Sequence, residues 1–395
     1  MNRGARFFGA FTALSAASYF YVRPPTMIYD TTKEHHKPNQ FQNPWPSFVE
    51  HGLWDTFKML KDIRLSSVVA NAKADDYPET VTINASILKN PDNDHITVTW
   101  LGHACALVQL NGYNVLFDPI FSNRCSPVQF AGPARYTQPP ATLNDLPRID
   151  AVVISHNHYD HLDLATVQQL AKKHPDTRFF VPLGNKEWFG TIAKETTSQG
   201  QGRVEELDWW DQREIKLSDT DTIRFTCTPC QHFSGRTPFD RNKTLWASWA
   251  MENVKDGQAR GKVYFGGDTG YRTVPATASH EQAHNEEYLS TLPHCPAFKE
   301  IGERFQSFDL ALIPIGAYSP RYFMSPIHCG PEDAVRVHED IRSKKSIAIH
   351  WGTFALTDEP MSEPPQRLKA AMADRGHASS DFDVLKLGET ITIPI

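Results

Sequence analysis

What this chain lacks narrows its class before any motif is read. It has no polycationic stretch: 40 Lys and Arg stand against 46 Asp and Glu, a net charge of −6, so nucleic acid is set aside as a partner. The six cysteines, Cys105, Cys125, Cys227, Cys230, Cys295 and Cys329, are too few and too scattered over 395 residues for a disulfide scaffold, and a reducing compartment is the simpler expectation. Cys227 and Cys230 form a C-x-x-C, but strand alternation sends them to opposite faces, so the spacing is read as coincidence. There is no Gly-rich phosphate cradle, no nucleophile elbow and no internal repeat. Nor does any apolar run reach the roughly 20 residues of a comfortable bilayer crossing. The nearest, residues 7–22, is uncharged, follows Arg3 and Arg6, and closes at Arg23-Pro24-Pro25, with no acidic residue before Asp30. Residues 1–38 are therefore expected to be a hydrophobic targeting or membrane-anchor segment with its linker. The composition fits a mitochondrial transit segment, and Ser15-Ala16-Ala17 leaves a secretory signal open.

Against these absences one stretch is dense in chemistry: Ser155-His156-Asn157-His158-Tyr159-Asp160-His161. It follows the short β-branched run 150–154, which reads as a buried strand ending at the histidines. Asp163 is the predicted N-cap of a helix through Lys173, with Leu164, Val167, Leu170 and Ala171 on one face. Imidazole nitrogen and carboxylate oxygen suit borderline divalent ions. A tight turn can aim His156 and His158 at one ion while Asp160 and His161 face a second. Packing alone explains the cluster poorly, since each ring would need its own hydrogen-bond partner at one strand end.

The same grammar recurs. Strands are predicted over 96–101, 105–110 and 113–117, with Asn111-Gly112 a hairpin turn. Gly102-His103 and Asp118-Pro119 close two of them, and turn chemistry explains these pairs as well as a supporting role in a cleft. Strands over 223–227, 262–265, 310–315 and 346–349 lead to His232, Gly267-Asp268, Gly316 and His350. Ligands drawn from separate strand ends are what a metal cleft along one sheet edge requires. A helical pattern over 48–65 carries Trp54, Phe57 and Leu60 at one-face spacing, as core or as a docking edge. Residues 271–293 read as a surface insertion whose His280 and His284, with His294 just beyond, are solvated loop residues.

Gly102-His103-Ala104, the run from His156 to His161, His232, Gly267-Asp268-Thr269 and His350 together resemble the metallo-β-lactamase fold, an α/β class in which a four-layer αββα sandwich carries a two-metal site on one edge. Longer stretches narrow the resemblance: Asn43-Pro44-Trp45-Pro46, Asp118-Pro119-Ile120-Phe121-Ser122, 154–163, Glu206-Leu207-Asp208-Trp209-Trp210, 267–271, Pro314-Ile315-Gly316-Ala317-Tyr318 and 348–356 are similar to the N-acylphosphatidylethanolamine-hydrolysing phospholipase D family. The likeness runs from about residue 39 to the C-terminus, which makes 39–395 the expected hydrolase domain. It implies two Zn2+ per chain, one held by His156, His158 and His232, the other by Asp160, His161 and His350, with Asp268 bridging. It implies catalytic roles for Asp268, for His328 near the substrate head group and for Tyr159 beside it. It further implies a phospholipid substrate split into an N-acylethanolamine and phosphatidic acid, and a homodimer, while the N-terminal composition is what points to a membrane-associated intracellular location of mitochondrial type. Two departures stand out: Ile327 replaces the Gln of the mammalian enzymes, and the 271–293 insertion has no counterpart there. Arg321 reads either as a phosphate partner or as a rim arginine on aromatics. The competing readings are the same site acting on another ester, lactone or phosphodiester, and a scaffold that keeps zinc for stability. The scaffold is disfavoured because structural zinc usually closes with four ligands.

Overall fold

Alternation along the strands sorts this chain into layers. A computed structural model describes residues 29–62, 72–73, 76–190, 192–193, 195–198, 200 and 202–395; the apolar stretch 7–22 lies outside the described residues. A small hairpin, β1 (His36–Lys37) with β2 (Gln40–Phe41), precedes two seven-stranded sheets. The first runs in the order β16 (Thr390–Pro394), β3 (His95–Gly102), β4 (Cys105–Leu110), β5 (Tyr113–Phe117), β6 (Ala151–Val153), β7 (Arg178–Pro182) and β8 (Val204–Leu207). The second runs β15 (Phe382–Asp383), β14 (Ser346–Ile349), β13 (Leu310–Pro314), β12 (Gln258–Phe265), β11 (Ser248–Lys255), β10 (Asp221–Thr228) and β9 (Gln212–Lys216).

Period two decides which core each side chain joins. Val98, Trp100, Val108, Val115, Phe117, Val153 and Phe180 point inward and meet Phe225, Trp249, Met251, Val263 and Phe265 of the other sheet. Their neighbours Leu107, Leu116, Val152 and Phe179 point outward and meet Val167 and Leu170 of the helix Leu164–Lys173. Aromatic pairs join the sheets, Phe117 to Phe265 at 4.7 Å and Phe180 to Phe225 at 4.2 Å between ring centres. Truncating one such ring to Ala costs about 3–5 kcal/mol, so register is firmly held. Asn111-Gly112 makes the predicted turn, both residues at positive φ.

Some expectations shift. Asp163 does sit at the N-cap, yet its carboxylate makes no capping bond; it accepts from Ser122 and Thr166 instead. Thr166 takes the buried place expected of Leu164. The helix spans Leu53–Asp62, and Trp54 and Phe57 are 78% and 62% exposed, so these two residues are not core. Residues 271–293 are more than a solvated loop. Val274, Ala283 and Leu289 form a small core of their own, Arg272 is buried against Asp333 at 2.8 Å, and Glu286 pairs with Arg336 of the helix Pro331–Asp340. His280 and His294 are exposed as expected, and His284 lies 3.8 Å from Glu332. All six cysteines are free and buried.

Candidate metal centre

Strand direction brings the predicted residues to one edge. β3 and β5 run the same way because each is antiparallel to β4, and β6 is parallel to β5. In the second sheet β10 and β12 are both antiparallel to β11, while β13 and β14 are parallel to β12. The segments leaving β3, β5 and β6 therefore deliver His103, Asp118 and the run from His156 to His161 to one rim, and those leaving β10, β12 and β14 deliver His232, Asp268 and His350. Three non-glycine residues there, His103, Asp118 and His350, hold left-handed φ values of 53°, 37° and 63°. Such conformations persist only where the surroundings fix them, and they gather at functional sites. Gly267, at φ 57°, has a sharper requirement: a Cβ there would lie 2.4 Å from that of Ser155.

The donors form two adjoining groups. In one, His158 Nδ1 lies 2.8 Å from His156 Nε2 and 3.3 Å from His232 Nε2. In the other, Asp160 Oδ2 lies 3.4 Å from His161 Nε2 and 3.5 Å from His350 Nε2. Asp268 stands between: its Oδ2 is 3.1 Å from His161, 3.8 Å from His232 and 3.9 Å from His156, and its Oδ1 is 3.0 Å from His350. Ligands at zinc distance in a tetrahedral shell stand about 3.3–3.4 Å apart, and these separations bracket that value. Further, His161 Nε2, His350 Nε2 and Asp268 Oδ1 are buried without a hydrogen-bond partner in the protein. Buried polar atoms are normally satisfied. A convergent set of orphaned nitrogen and oxygen donors fits divalent metal.

The reverse sides of the rings are held. Asp118 accepts from His161 Nδ1 at 2.6 Å and from Ser155 N at 2.7 Å; Ser155 Oγ lies 2.9 Å from His156 Nδ1; the Ile327 carbonyl lies 2.7 Å from His232 Nδ1. His103 Nε2 reaches Asp160 at 2.9 Å. Such outer contacts fix tautomer and ring direction. Ile327 contributes its main-chain carbonyl to His232, so this contact does not depend on its side chain. His103 and Asp118 were readable as strand ends but their partners were not, and Ser155, inside the motif, gave no signal of its own.

Electrostatics agree with neutral donors facing fixed charge. Burial, with neighbouring rings, drives His156 well below its ordinary value, His158 to about 4 and His232 to about 3. Burial pulls His161 and His350 down too, but Asp268 and Asp160 outweigh it, raising His161 strongly and His350 to about 9. The demand for positive charge thus concentrates beside the two carboxylates.

Of the other predicted residues, His328 belongs to this group, its Nδ1 3.8 Å from Asp268 Oδ2. Tyr159 packs against Ile120, Cys125 and Phe354, and the Arg236 guanidinium lies 3.9 Å from its ring centre. Arg321 is neither a phosphate partner nor a rim residue. It is buried and bound to Asp333 at 2.5 Å. Cys227 and Cys230 join no metal-competent group among the described residues.

Residues 113–351 match a family model described as a beta-lactamase superfamily domain. The chain is 40% identical, over 74% of its own length and 74% of the relative's, to N-acyl-phosphatidylethanolamine-hydrolyzing phospholipase D 1 of Caenorhabditis elegans. It is 32% identical over 74% of its length to the mitochondrial N-acyl-phosphatidylethanolamine-hydrolyzing phospholipase D of Saccharomyces cerevisiae, spanning 55% of that protein. Among solved structures, an isothiocyanate hydrolase from Delia radicum gut bacteria superposes with a TM-score of 0.50 at 19% identity, over 76% of this chain and 100% of the other, a likeness of fold.

Proposed function

The chain belongs to the N-acyl-phosphatidylethanolamine-hydrolysing phospholipase D family of the beta-lactamase superfamily, and from that premise we propose that this hydrolase cleaves N-acylphosphatidylethanolamine to an N-acylethanolamine and phosphatidic acid, using two zinc ions. The observation that carries the reading is the convergence of orphaned imidazole and carboxylate atoms around Asp268. His156, His158 and His232 would hold one ion, Asp160, His161 and His350 the other, and Asp268 both. When bound, such a pair supplies Lewis acidity to a phosphoryl oxygen and lowers the pKa of water toward neutrality. The chain's own residues do the remainder. Asp118, Ser155, Ile327 and His103 keep the ligating rings and Asp160 from rotating. His328, beside Asp268, offers an imidazole N–H to the leaving oxygen. Tyr159, its ring fixed under Arg236, borders the head group.

A lipid substrate needs a face that meets lipid. Trp54 and Phe57 are exposed on one helix, and Phe239, 83% exposed, stands on the loop after His232. Arg241 of that loop reaches Glu50, beside the start of the helix, at 3.7 Å, so the loop and the helix start are neighbours. Exposed aromatics of this kind anchor a protein at a bilayer interface. No helix among the described residues is long and apolar enough to cross a membrane. A mitochondrial location and a homodimer complete the reading; the first takes support from the yeast relative's name. The test is to incubate zinc-loaded protein with N-acylphosphatidylethanolamine, with and without chelator, and to identify the lipid products by mass spectrometry. Chelator-sensitive formation of both products is expected. Turnover of soluble esters with none of the lipid would overturn the substrate assignment.

A further inference from the structure

The motif Asn43-Pro44-Trp45-Pro46 lies ahead of the residues matched by the superfamily domain and has no part in the chemistry above. Its first residue nevertheless touches the centre. Asn43 Nδ2 donates to the main-chain carbonyl of His232 at 2.7 Å, and Asn43 Oδ1 accepts from the main-chain N–H of His232 at 3.2 Å. One planar amide thus takes both main-chain groups of a single residue, as a neighbouring strand would. Of the side chains, only Asn and Gln carry a donor and an acceptor in this arrangement. The ring of His232 is held separately, by the Ile327 carbonyl at 2.7 Å.

A second contact runs from the same segment to the residue before His232 and on to the stretch that carries His328. Ser47, buried, donates to Gln231 Oε1 at 2.5 Å, which leaves the Gln231 amide nitrogen to donate to the Pro326 carbonyl at 2.9 Å. Pro326 begins the Pro326-Ile327-His328 stretch, so Ser47 orients the backbone that presents both the Ile327 carbonyl and His328.

The segment is latched at its other end. Lys33 Nζ, His35 Nε2 and His36 Nε2 converge on the Asp208 carboxylate at 2.5, 2.7 and 3.1 Å, and Trp209 is stacked between His35, at 4.3 Å, and Trp45, at 5.4 Å. This buried His, His and Asp group is not itself a metal site. His36 Nδ1 accepts the Asp30 N–H at 2.9 Å, so its proton sits on Nε2 and points at Asp208.

We propose that residues 29–52 form a strap that completes the metal centre, with Asn43 as the positioning residue for His232 and Ser47 as the positioning residue for the loop that carries His328. The proposal rests on the two-metal reading above. It assigns the Asn43-Pro44-Trp45-Pro46 motif a role in holding metal rather than in contacting lipid.

The test counts zinc equivalents and their affinities in the full chain by competition with a chromophoric chelator, and follows the absorption of the cobalt-substituted protein. Wild-type protein should bind two equivalents. Asn43→Ala should weaken one of them by about 10–100-fold, the range for losing an outer contact to a ligating histidine, and dim the cobalt bands of that site alone. Should that variant fold poorly, Asn43→Asp, which keeps the acceptor and loses the donor, should weaken the same equivalent. Ser47→Ala, which reaches the Ile327 carbonyl only through Gln231 and Pro326, should weaken the same equivalent less than Asn43→Ala does and lower kcat on a soluble phosphodiester with little change in KM. Gln42→Ala, which loses only a bond to the Glu34 carbonyl, should change nothing. Two tight equivalents in both Asn43 variants would overturn the strap. So would equal weakening of both equivalents with a matching fall in the unfolding temperature of the metal-free protein, since that is general destabilisation. Absence of metal binding by wild-type protein would instead remove the two-metal reading itself.

Discussion

Replacing Asp118 by Asn should strip metal from one half of the centre while leaving the fold standing, and the hydrogen-bond directions show why. Asp118 Oδ1 accepts the main-chain N–H of Ser155 at 2.7 Å, and Oδ2 accepts from Ser155 Oγ at 2.5 Å and from His161 Nδ1 at 2.6 Å. A main-chain donor cannot reverse, so the amide oxygen of an Asn must keep the Oδ1 place and its NH2 must face His161. His161 would then have to accept at Nδ1 and carry its proton on Nε2, the atom 3.1 Å from Asp268 that would ligate. Such a ring cannot bind metal without first breaking that bond. Losses of outer partners of this kind run to about 10–100-fold in affinity, or about 1.4–2.7 kcal/mol. The fold should lose less. Asp118 is a fully buried carboxylate whose pKa burial pushes up, so its uncharged isostere relieves desolvation as it weakens one charge-assisted bond. Zinc titration against a chelator is therefore the decisive assay, with thermal unfolding of the metal-free protein as control. One weakened equivalent and a nearly unchanged metal-free unfolding temperature are expected. Both equivalents retained within about twofold would refute the tautomer argument.

Three other expectations follow from single features. Gly267→Ala puts a methyl 2.4 Å from the Ser155 side chain at a left-handed φ, and should cost about 2–4 kcal/mol; a denaturant midpoint equal to wild type would show that the strand end gives way freely. Trp54→Ala with Phe57→Ala should weaken vesicle binding at least about tenfold, given about 1.5–3 kcal/mol for burying each large apolar side chain, while turnover of a soluble diester is unchanged; sedimentation with liposomes reads it, and equal partitioning would remove the lipid face. Burial favours the neutral Asp208 carboxyl, but bonds from His35 and Lys33 outweigh it and hold its pKa well below the usual carboxylate range. The folded value is thus lower than the unfolded one, so this contribution to stability is complete above about pH 4 and fades as acid protonates the folded carboxylate. Unfolding temperature should fall more steeply below pH 4 in wild type than in Asp208→Asn; parallel curves would count against the latch.

The parts of the fold that could be read beforehand are those specified locally. β3 and β6 announce themselves by β-branched runs, β4 and β5 by short apolar stretches either side of the Asn111-Gly112 turn, and the metal edge by histidines crowded behind one strand. What escaped depends on partners remote in sequence. β9 is an almost wholly exposed edge strand, Gln212–Lys216, with no apolar alternation to betray it. β11 buries Glu252 and Asn253 beside a register shift, where the periodic signal breaks. The aromatic neighbours of Arg321 suggested a stacked or phosphate-binding side chain, but its charge is met by Asp333, which also holds Arg272 from within the supposedly polar insertion. Trp54 and Phe57 have core spacing and remain on the surface, since spacing reports a face and not what covers it.

The centre itself illustrates the same division. No local rule states that His103, Asp118, His161, His232, Asp268 and His350 meet. They meet because an even number of antiparallel reversals separates β3 from β5 and β10 from β12, and parallel pairing extends each direction to β6 and to β14. Every strand that carries a donor therefore ends at one rim. Once there, left-handed turns at His103, Asp118 and His350 aim side chains that an extended chain would carry past it. Residue type is thus legible as chemistry, strand direction decides which types become neighbours, and contacts such as Asp118 to His161 and Asn43 to His232 decide whether those neighbours are held still enough to grip an ion.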